Sequence, residues 1–453
     1  MKMPHLWLTV LLLLSLQLKA KEEQLKSVPK TATASATSTP DRFADLMPCK
    51  AILVPSKGTE KIDQEIARLQ SKIKDAPDPV PFLDRLGWVF VSKARLTQDS
   101  SFYKLAQSCA ECIEARQPKS FEAMLLRGHI LHHSHSFKEA ETLARTLSEN
   151  RGAPFDFGLL GDVLIEQGRV AEAINAYQQM IDLRPDLQSY CRAAHARWIT
   201  GDLDGAREMA EMAAEAGSSR DPESAAWALS TLAFYQWQLK GTNEARQNVN
   251  LALQLVPNHA AALFAKARID LASNDITGAL TSLKRACAIK PELEYQWLLA
   301  DVLQILGREK EAQKLEEELN RNGVFDDART FALYLTTRGI RSGTAVNLAR
   351  RELSIRSDVL THDALAWALW GANQNEEAER EMEKALAEKT PDARLFLHAA
   401  IIADALGKGQ ATKAWLEKLK PLQHTLFPSE KQHLQKLGHR LAEAGDKEPR
   451  RGK

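Results

Sequence analysis

Two cysteines and four histidines form the densest set of metal-binding side chains in this sequence. Cys109-Ala-Glu-Cys112 is followed, after sixteen residues, by His129-Ile-Leu-His132-His133-Ser-His135. Cys-x2-Cys joined to His-x2-His supplies two thiolates and two imidazoles, a ligand set suited to zinc or copper. A blander reading fits the same residues. Cys109 and Cys112 lie one helical turn apart in an apolar stripe, where a free cysteine behaves as a small hydrophobe. A redox Cys-x-x-Cys opens a helix, where the dipole lowers the thiol pKa, whereas this one lies several residues inside. The remaining chemistry-bearing patterns are negative. The sequence has no Gly-rich loop ending in Lys-Ser/Thr, no His-Glu-x-x-His and no Gly-x-Ser-x-Gly. Acidic runs such as Glu316-Glu317-Glu318 and Glu376-Glu377 read as solvated helix faces. The expectation is therefore a non-catalytic protein without a cofactor.

The elements that must position these residues repeat. Phe157-Gly-Leu-Leu-Gly-Asp-Val-Leu-Ile-Glu-Gln-Gly-Arg-Val-Ala-Glu-Ala-Ile-Asn-Ala-Tyr177 continues to Pro185. Read as two helices, it places Gly161 at a close approach, Gly168 at the break, Ala173 where the helices cross and Tyr177 beside that crossing. The crossing alanine recurs at Ala140, Ala173, Ala206, Ala245, Ala279, Ala312, Ala345 and Ala378, spaced 33 or 34 residues apart except for one interval of 39. Turn residues suited to a left-handed backbone stand at Gly168, Gly201, Gly241, Gly307 and Asn373, and prolines recur at Pro118, Pro185, Pro222, Pro257, Pro291 and Pro391. This order of small, aromatic and turn residues resembles the tetratricopeptide repeat, a 34-residue helix–turn–helix. The resemblance implies an all-α, right-handed superhelical solenoid of about ten repeats over residues 79–427. It is similar to exported bacterial proteins of unassigned role. Two departures are a longer bridge in the first pair (Lys93 to Tyr103) and a unit around Phe331–Ala349 with no small residue opposite Ala345.

In this family the first helices line the concave face. Counting from each close-packing Gly or Ala of those helices, offsets −6, −3, +1 and +4 face the groove. They collect Trp88, Trp198, Trp227, Phe234, Trp237, Phe264, Trp297, Trp367 and Trp370, so that seven of the eight tryptophans beyond residue 20 share this face. His129, His132, His195 and Cys191 fall on the same offsets, as do Arg268, Asp162, Asp301 and Asp404. A groove of rigid amphipathic rings suits a partner protein or peptide. Alternatively, the rings plug gaps between successive helices. A second functional reading is a periplasmic metal or small-ligand carrier built on Cys109, Cys112, His129 and His132.

Composition sets limits. A formal net charge of +1 provides no long-range field for nucleic acid or anionic lipid. A chain of 453 residues exceeds what one compact core sustains, a limit that a repeat array escapes. Residues 1–20 read as a secretory signal with an apolar run too short to span a bilayer, which implies export to a periplasm or the exterior. The rest is assigned to a flexible leader over 21–57, an N-terminal capping helix over 58–78 (Ile62, Ile66, Leu69 and Ile73 on one stripe), a C-terminal capping helix over 428–445 and a basic tail over 446–453. Five cysteines (with Cys49 and Cys287) are too few and odd in number for a disulfide-built scaffold. No Asn begins an Asn-x-Ser/Thr site, which favours a bacterial envelope.

Overall fold

The computed structural model describes residues 47–97 and 99–447. The expected signal, most of the leader and the end of the basic tail lie outside the described residues. Among those described, the chain is α-helical apart from one short 3₁₀ turn. Helix α1 (Met47–Ile52) and helix α2 (Lys61–Asp75) precede ten antiparallel helix pairs. The pairs are α3 (Val80–Thr97) with α4 (Ser101–Arg116), α5 (Phe121–His133) with α6 (Phe137–Asn150), and α7 (Pro154–Glu166) with α8 (Val170–Leu183). Next come α9 (Leu187–Ile199) with α10 (Leu203–Glu215), α11 (Pro222–Gln238) with α12 (Thr242–Leu255), and α13 (Ala260–Ala272) with α14 (Ile276–Ile289). The last four are α15 (Leu293–Ile305) with α16 (Glu309–Asp326), α17 (Ala328–Thr337) with α18 (Ser342–Ile355), α19 (Val359–Gly371) with α20 (Asn375–Ala385), and α21 (Ala393–Ala405) with α22 (Gly409–Leu419). Helix α23 (Pro428–Lys447) follows.

The small residues stand where the helices touch. All eight periodic alanines, from Ala140 to Ala378, are buried at 2% exposure or less. In the third pair a Cβ on Gly161 would meet the Tyr177 ring at 2.2 Å, so the tyrosine occupies the space that glycine vacates. Gly87 and Gly128 do the same for Leu126 and Leu159 of the next first helix. Side-chain oxygens of Asp202 and Asp275 accept the Gly205 and Gly278 N–H groups and start second helices α10 and α14. The turns follow the expected frame at Gly168, Gly201, Gly307 and Asn373, all with positive φ. At the fifth pair the left-handed residue is Lys240 rather than Gly241, and His135 and Asn274 take that role in the second and sixth. Pro222 begins α11 instead of ending a unit.

At the N-terminal end, Ile66 and Leu69 of α2 are buried against the array as their stripe requires. Helix α1 lies within the span assigned to the leader; it is tied to α4 by a Cys49–Cys112 disulfide and buries Ile52 completely.

The array also closes on itself. The turn of the third pair meets the link between the eighth and ninth: Ser357 donates its N–H to Glu166 O at 3.1 Å and its hydroxyl to Gln167 O at 2.9 Å. Arg356 pairs with Glu166 at 3.4 Å. The turn of the fourth pair meets the link before α21, where the Thr390 hydroxyl donates to Ile199 O at 2.7 Å. A Cβ on Gly168 would lie 2.3 Å from Ser357 O, so the clasp passes where only glycine fits.

Candidate interaction groove

The first helices carry the aromatic series to one face, and that face divides into two parts. From the end of the fifth pair onward it holds the chain's own C-terminal segment. The expected capping helix therefore does not cover the end of the array; it folds back along the inside. His424 Nε2 donates to Trp237 O at 2.7 Å, and its ring stands perpendicular to the Trp237 ring. Arg268 Nη2 donates to Thr425 O at 3.0 Å. The Phe427 ring, 1% exposed, packs edge-on against Trp297 at 5.3 Å and Phe264 at 6.3 Å. Trp297 Nε1 donates to Ser429 Oγ, whose hydroxyl and N–H both reach Asp301 Oδ2. Asp301 is held from the other side by Arg338 at 2.7 Å. Burial raises its pKa, and Arg338 and Ser429 oppose that shift.

Glu430, 2% exposed, pairs with Arg394 at 2.5 Å, and that guanidinium also lies over the Trp297 and Phe427 rings. His433 Nε2 donates to Thr337 O and stands edge-on to Trp367 and Trp370. Trp367 is sandwiched between Trp370 at 4.2 Å and His398 at 4.0 Å. Arg440 closes the run on Asp404. Six of the expected partner residues, Trp237, Phe264, Arg268, Trp297, Trp367 and Trp370, are thus packed against or hydrogen-bonded to this segment or its helix. The physical reason is burial. An aromatic stripe over four pairs exposes much apolar surface, and the Phe427 face of the returning segment covers it.

Among the described residues, the remainder of the face, over the first four pairs, makes no hydrogen bond or ring contact with this segment. Trp88 lies 5.3 Å from the His129 ring, and His129 is within hydrogen-bond distance of Arg95. Burial and the neighbouring Arg95 push the His129 pKa down to about 3, so this imidazole is neutral. His132 packs edge-on against Phe137. Asp162 receives a two-pronged contact from Arg192 at 2.7 and 2.8 Å and the Tyr177 hydroxyl at 3.0 Å. His195 is exposed to solvent within the groove and stacks at 5.9 Å on Trp198, which is itself buried and donates Nε1 to Gln238. Desolvation keeps the His195 pKa below its usual value.

At the junction of the two parts lies a pocket of about 180 Å³ between α11 and α13, walled by Trp227, Phe234, Trp237 and Phe264, with Arg268 at its end. Trp227 is 50% exposed at its rim.

The Cys/His constellation comes apart. Cys112 is committed to the disulfide with Cys49, and Cys109 is a fully buried thiol whose pKa burial raises well above the ordinary range. His129 faces Trp88 and Arg95, and His135 is a turn residue stacked on Phe137. Among the described residues no group of three or more His, Cys, Asp or Glu is placed to hold a metal ion. The metal-carrier reading is withdrawn, because pairing with Cys49 removes one of its thiolates. Cys191 is a half-buried free thiol with a pKa raised by burial to about 11. None of the described helices is long and apolar enough to cross a membrane.

A family model described as tetratricopeptide repeat matches residues 159–222. No curated protein matches the sequence. Among solved structures, the chain is similar to one from the APC/C hetero-tetramer Cut9-Hcn1, with 13% identity, a TM-score of 0.44 and coverage of 81% of this chain. It spans 61% of that protein's length. It is also similar to a human IFIT1 dimer solved with PPP-AAAA (13% identity, TM-score 0.44, 86% of this chain and 96% of that one). A third is TTC0263, a thermophilic tetratricopeptide protein of Thermus thermophilus (16% identity, TM-score 0.35, 41% of this chain and 98% of that one). Residues 159–222 match the tetratricopeptide repeat, and the same helix pair recurs ten times from Val80 to Leu419; the chain carries tetratricopeptide repeats and is an all-α helical repeat solenoid.

Proposed function

We propose that the protein is a non-catalytic interaction scaffold that holds a partner protein or peptide along the part of its concave face not contacted by the C-terminal segment. The observation that carries this reading is the pocket at the junction, where Trp227 stands half exposed beside Phe234, Trp237 and Phe264 at the point where the C-terminal segment leaves the groove. Exposed tryptophan beside a preformed apolar pocket is the usual anchor of a binding hot spot. The binding surface then runs from that pocket toward Trp88, His129, His132 and His195. Trp297 and Trp367 belong to the packing of the C-terminal segment.

Export to an oxidising compartment is part of the same proposal. It is supported by the apolar stretch near the N-terminus and by the buried Cys49–Cys112 disulfide, a bond that persists where thiols are not kept reduced. The near-neutral net charge supports a protein partner over nucleic acid.

The test places a photo-crosslinking residue at Trp227 and, separately, at Met212, an exposed position on a second helix. A discrete protein adduct at position 227 and none at 212 supports the reading. Adducts at 212 alone, or equal adducts at both, overturn it. Replacing Trp198 or Trp237 would not serve, because both are buried and their loss reports on stability.

A further inference from the structure

Each polar group on the groove face raises the question of where its counter-charge lies. Asp162 has Arg192, Asp301 has Arg338, and Asp404 has Arg440. Arg394 has both Glu430 and Glu294. Arg268 differs. Its guanidinium lies 4.9 to 5.7 Å from the ring centres of Trp237, Phe427, Phe264 and Phe234, and its Nη2 donates to a backbone carbonyl. Among the described residues no carboxylate lies within ion-pair distance, and its Nε is buried without a hydrogen-bond partner. Trp237 Nε1, in the same wall, is also buried and unpartnered. Glu294, Asp392 and Glu430 act on this cation only from beyond ion-pair distance and do not offset its desolvation; such a cation is costly to maintain, and this one lines the pocket.

The same groove shows what fills such a place. Around Arg394 the chain sets the Phe427 ring against Trp297 and the Glu430 carboxylate on the guanidinium, three residues apart in one segment. The Arg268 pocket repeats part of the receiving half of that arrangement: a guanidinium beside Trp237 and Phe264, covered by Phe427 on one side, with no carboxylate in contact and no ring on the side of Trp227. Its volume of about 180 Å³ admits one ring, since an apolar cavity of roughly 150 Å³ holds benzene. The groove continues past Trp227 along the first helices of the earlier pairs, so the occupant is a chain passing through. Resting on the scaffold reading above, we infer that the pocket between α11 and α13 binds a partner segment bearing an aromatic side chain followed closely by an acidic one, the ring entering between Trp227 and Phe264 and the carboxylate meeting Arg268.

The test uses three capped peptides: N-acetyl-Phe-Pro-Ser-Glu-amide, its Gln counterpart, and N-acetyl-Phe-Pro-Ser-Gln with a free C-terminus. Binding to the full chain labelled with 5-fluorotryptophan is followed by 19F NMR, with the resonances of residues 227 and 237 as reporters. The Glu peptide should bind saturably and about tenfold more tightly than the Gln amide, the gain of one charge-assisted contact. That ratio should fall to about one in Arg268→Gln and largely persist in Arg268→Lys, with circular dichroism confirming both folds. Trp227→Ala should weaken both peptides alike.

Equal binding of the Glu and Gln amides overturns the inference, as does a ratio that survives Arg268→Gln. Preference for the free C-terminus over the Glu amide overturns the assignment to an internal acidic residue. If no peptide binds while a protein adduct forms at position 227, the scaffold reading stands and this ligand chemistry falls.

Discussion

Phe427→Ala tests whether the C-terminal segment is seated in the groove as part of the fold. The ring is 1% exposed and sits among Trp297, Phe264, Arg268 and Arg394. Truncating a buried phenylalanine costs about 3–5 kcal/mol, the lost transfer energy plus the cavity left behind. The two guanidiniums lose a ring face each, and cation–π contacts are worth about 0.5–2 kcal/mol apiece. These contributions overlap, so the expected loss is about 4 kcal/mol. Phe427→Leu keeps the apolar volume and loses the ring face, and should cost about 1–2 kcal/mol. Urea unfolding followed by tryptophan fluorescence and circular dichroism measures both. Limited proteolysis of the link Lys420–Phe427 should show faster cleavage in the alanine variant. A loss below about 1 kcal/mol for Phe427→Ala, with unchanged cleavage, would refute the placement of this segment.

Three further outcomes are expected. Gly168→Ala and Gly307→Ala each force a left-handed alanine at about 1–2 kcal/mol, but only at Gly168 does the new Cβ run into a carbonyl, that of Ser357; Gly168→Ala should be worse by about 1–3 kcal/mol in urea unfolding, and equal losses would deny the clasp. His259 caps α13 by accepting the Ala262 N–H at Nδ1, and burial holds its pKa down to about 4. A base whose folded pKa is lowered gives its full stability above about pH 6.5 and loses it as pH falls toward 4, so about 2 kcal/mol should disappear between pH 7 and pH 5, and His259→Asn should flatten that slope. Breaking the Cys49–Cys112 link with reductant frees a loop of 63 residues, about 4 kcal/mol by chain entropy; the Cys49→Ser/Cys112→Ser double variant should be correspondingly less stable and insensitive to reductant.

The repeat frame was legible because helix crossings admit only small side chains, and that demand returns with every pair. Ala140 through Ala378 therefore announced themselves by period alone, and Gly161 with Tyr177 announced how the crossing is filled. Left-handed turns were legible at Gly168, Gly201, Gly307 and Asn373, but not at Asn274, nor at His135 and Lys240, where the chain accepts a strained residue because the helices on both sides dictate the turn. The groove face was legible as a set of offsets. Its division was not. Phe427, Ser429 and Glu430 belong to no period, and nothing local to them names Trp297, Asp301 or Arg394 as partners more than thirty residues away. The polar outer face of α23 read as an end cap for the same reason. Cys112 read as the partner of Cys109 because the two are neighbours in sequence, whereas the disulfide joins it to a cysteine in a different helix.

The contacts of Glu166 and Gln167 with Ser357, and of Ile199 with Thr390, also set a rule of number. An open solenoid adds its repeats like beads, and insertion or loss of one merely lengthens or shortens the rod. Here the pairs between the fourth and the ninth form a closed circuit, and a repeat inserted among them would rotate Ser357 and Thr390 away from the turns they touch. Pairings spanning about 190 residues also give the array long-range contact order. The pairs inside the circuit should then unfold together, whereas the first two pairs, which lie outside it, keep the independent fraying of an open array.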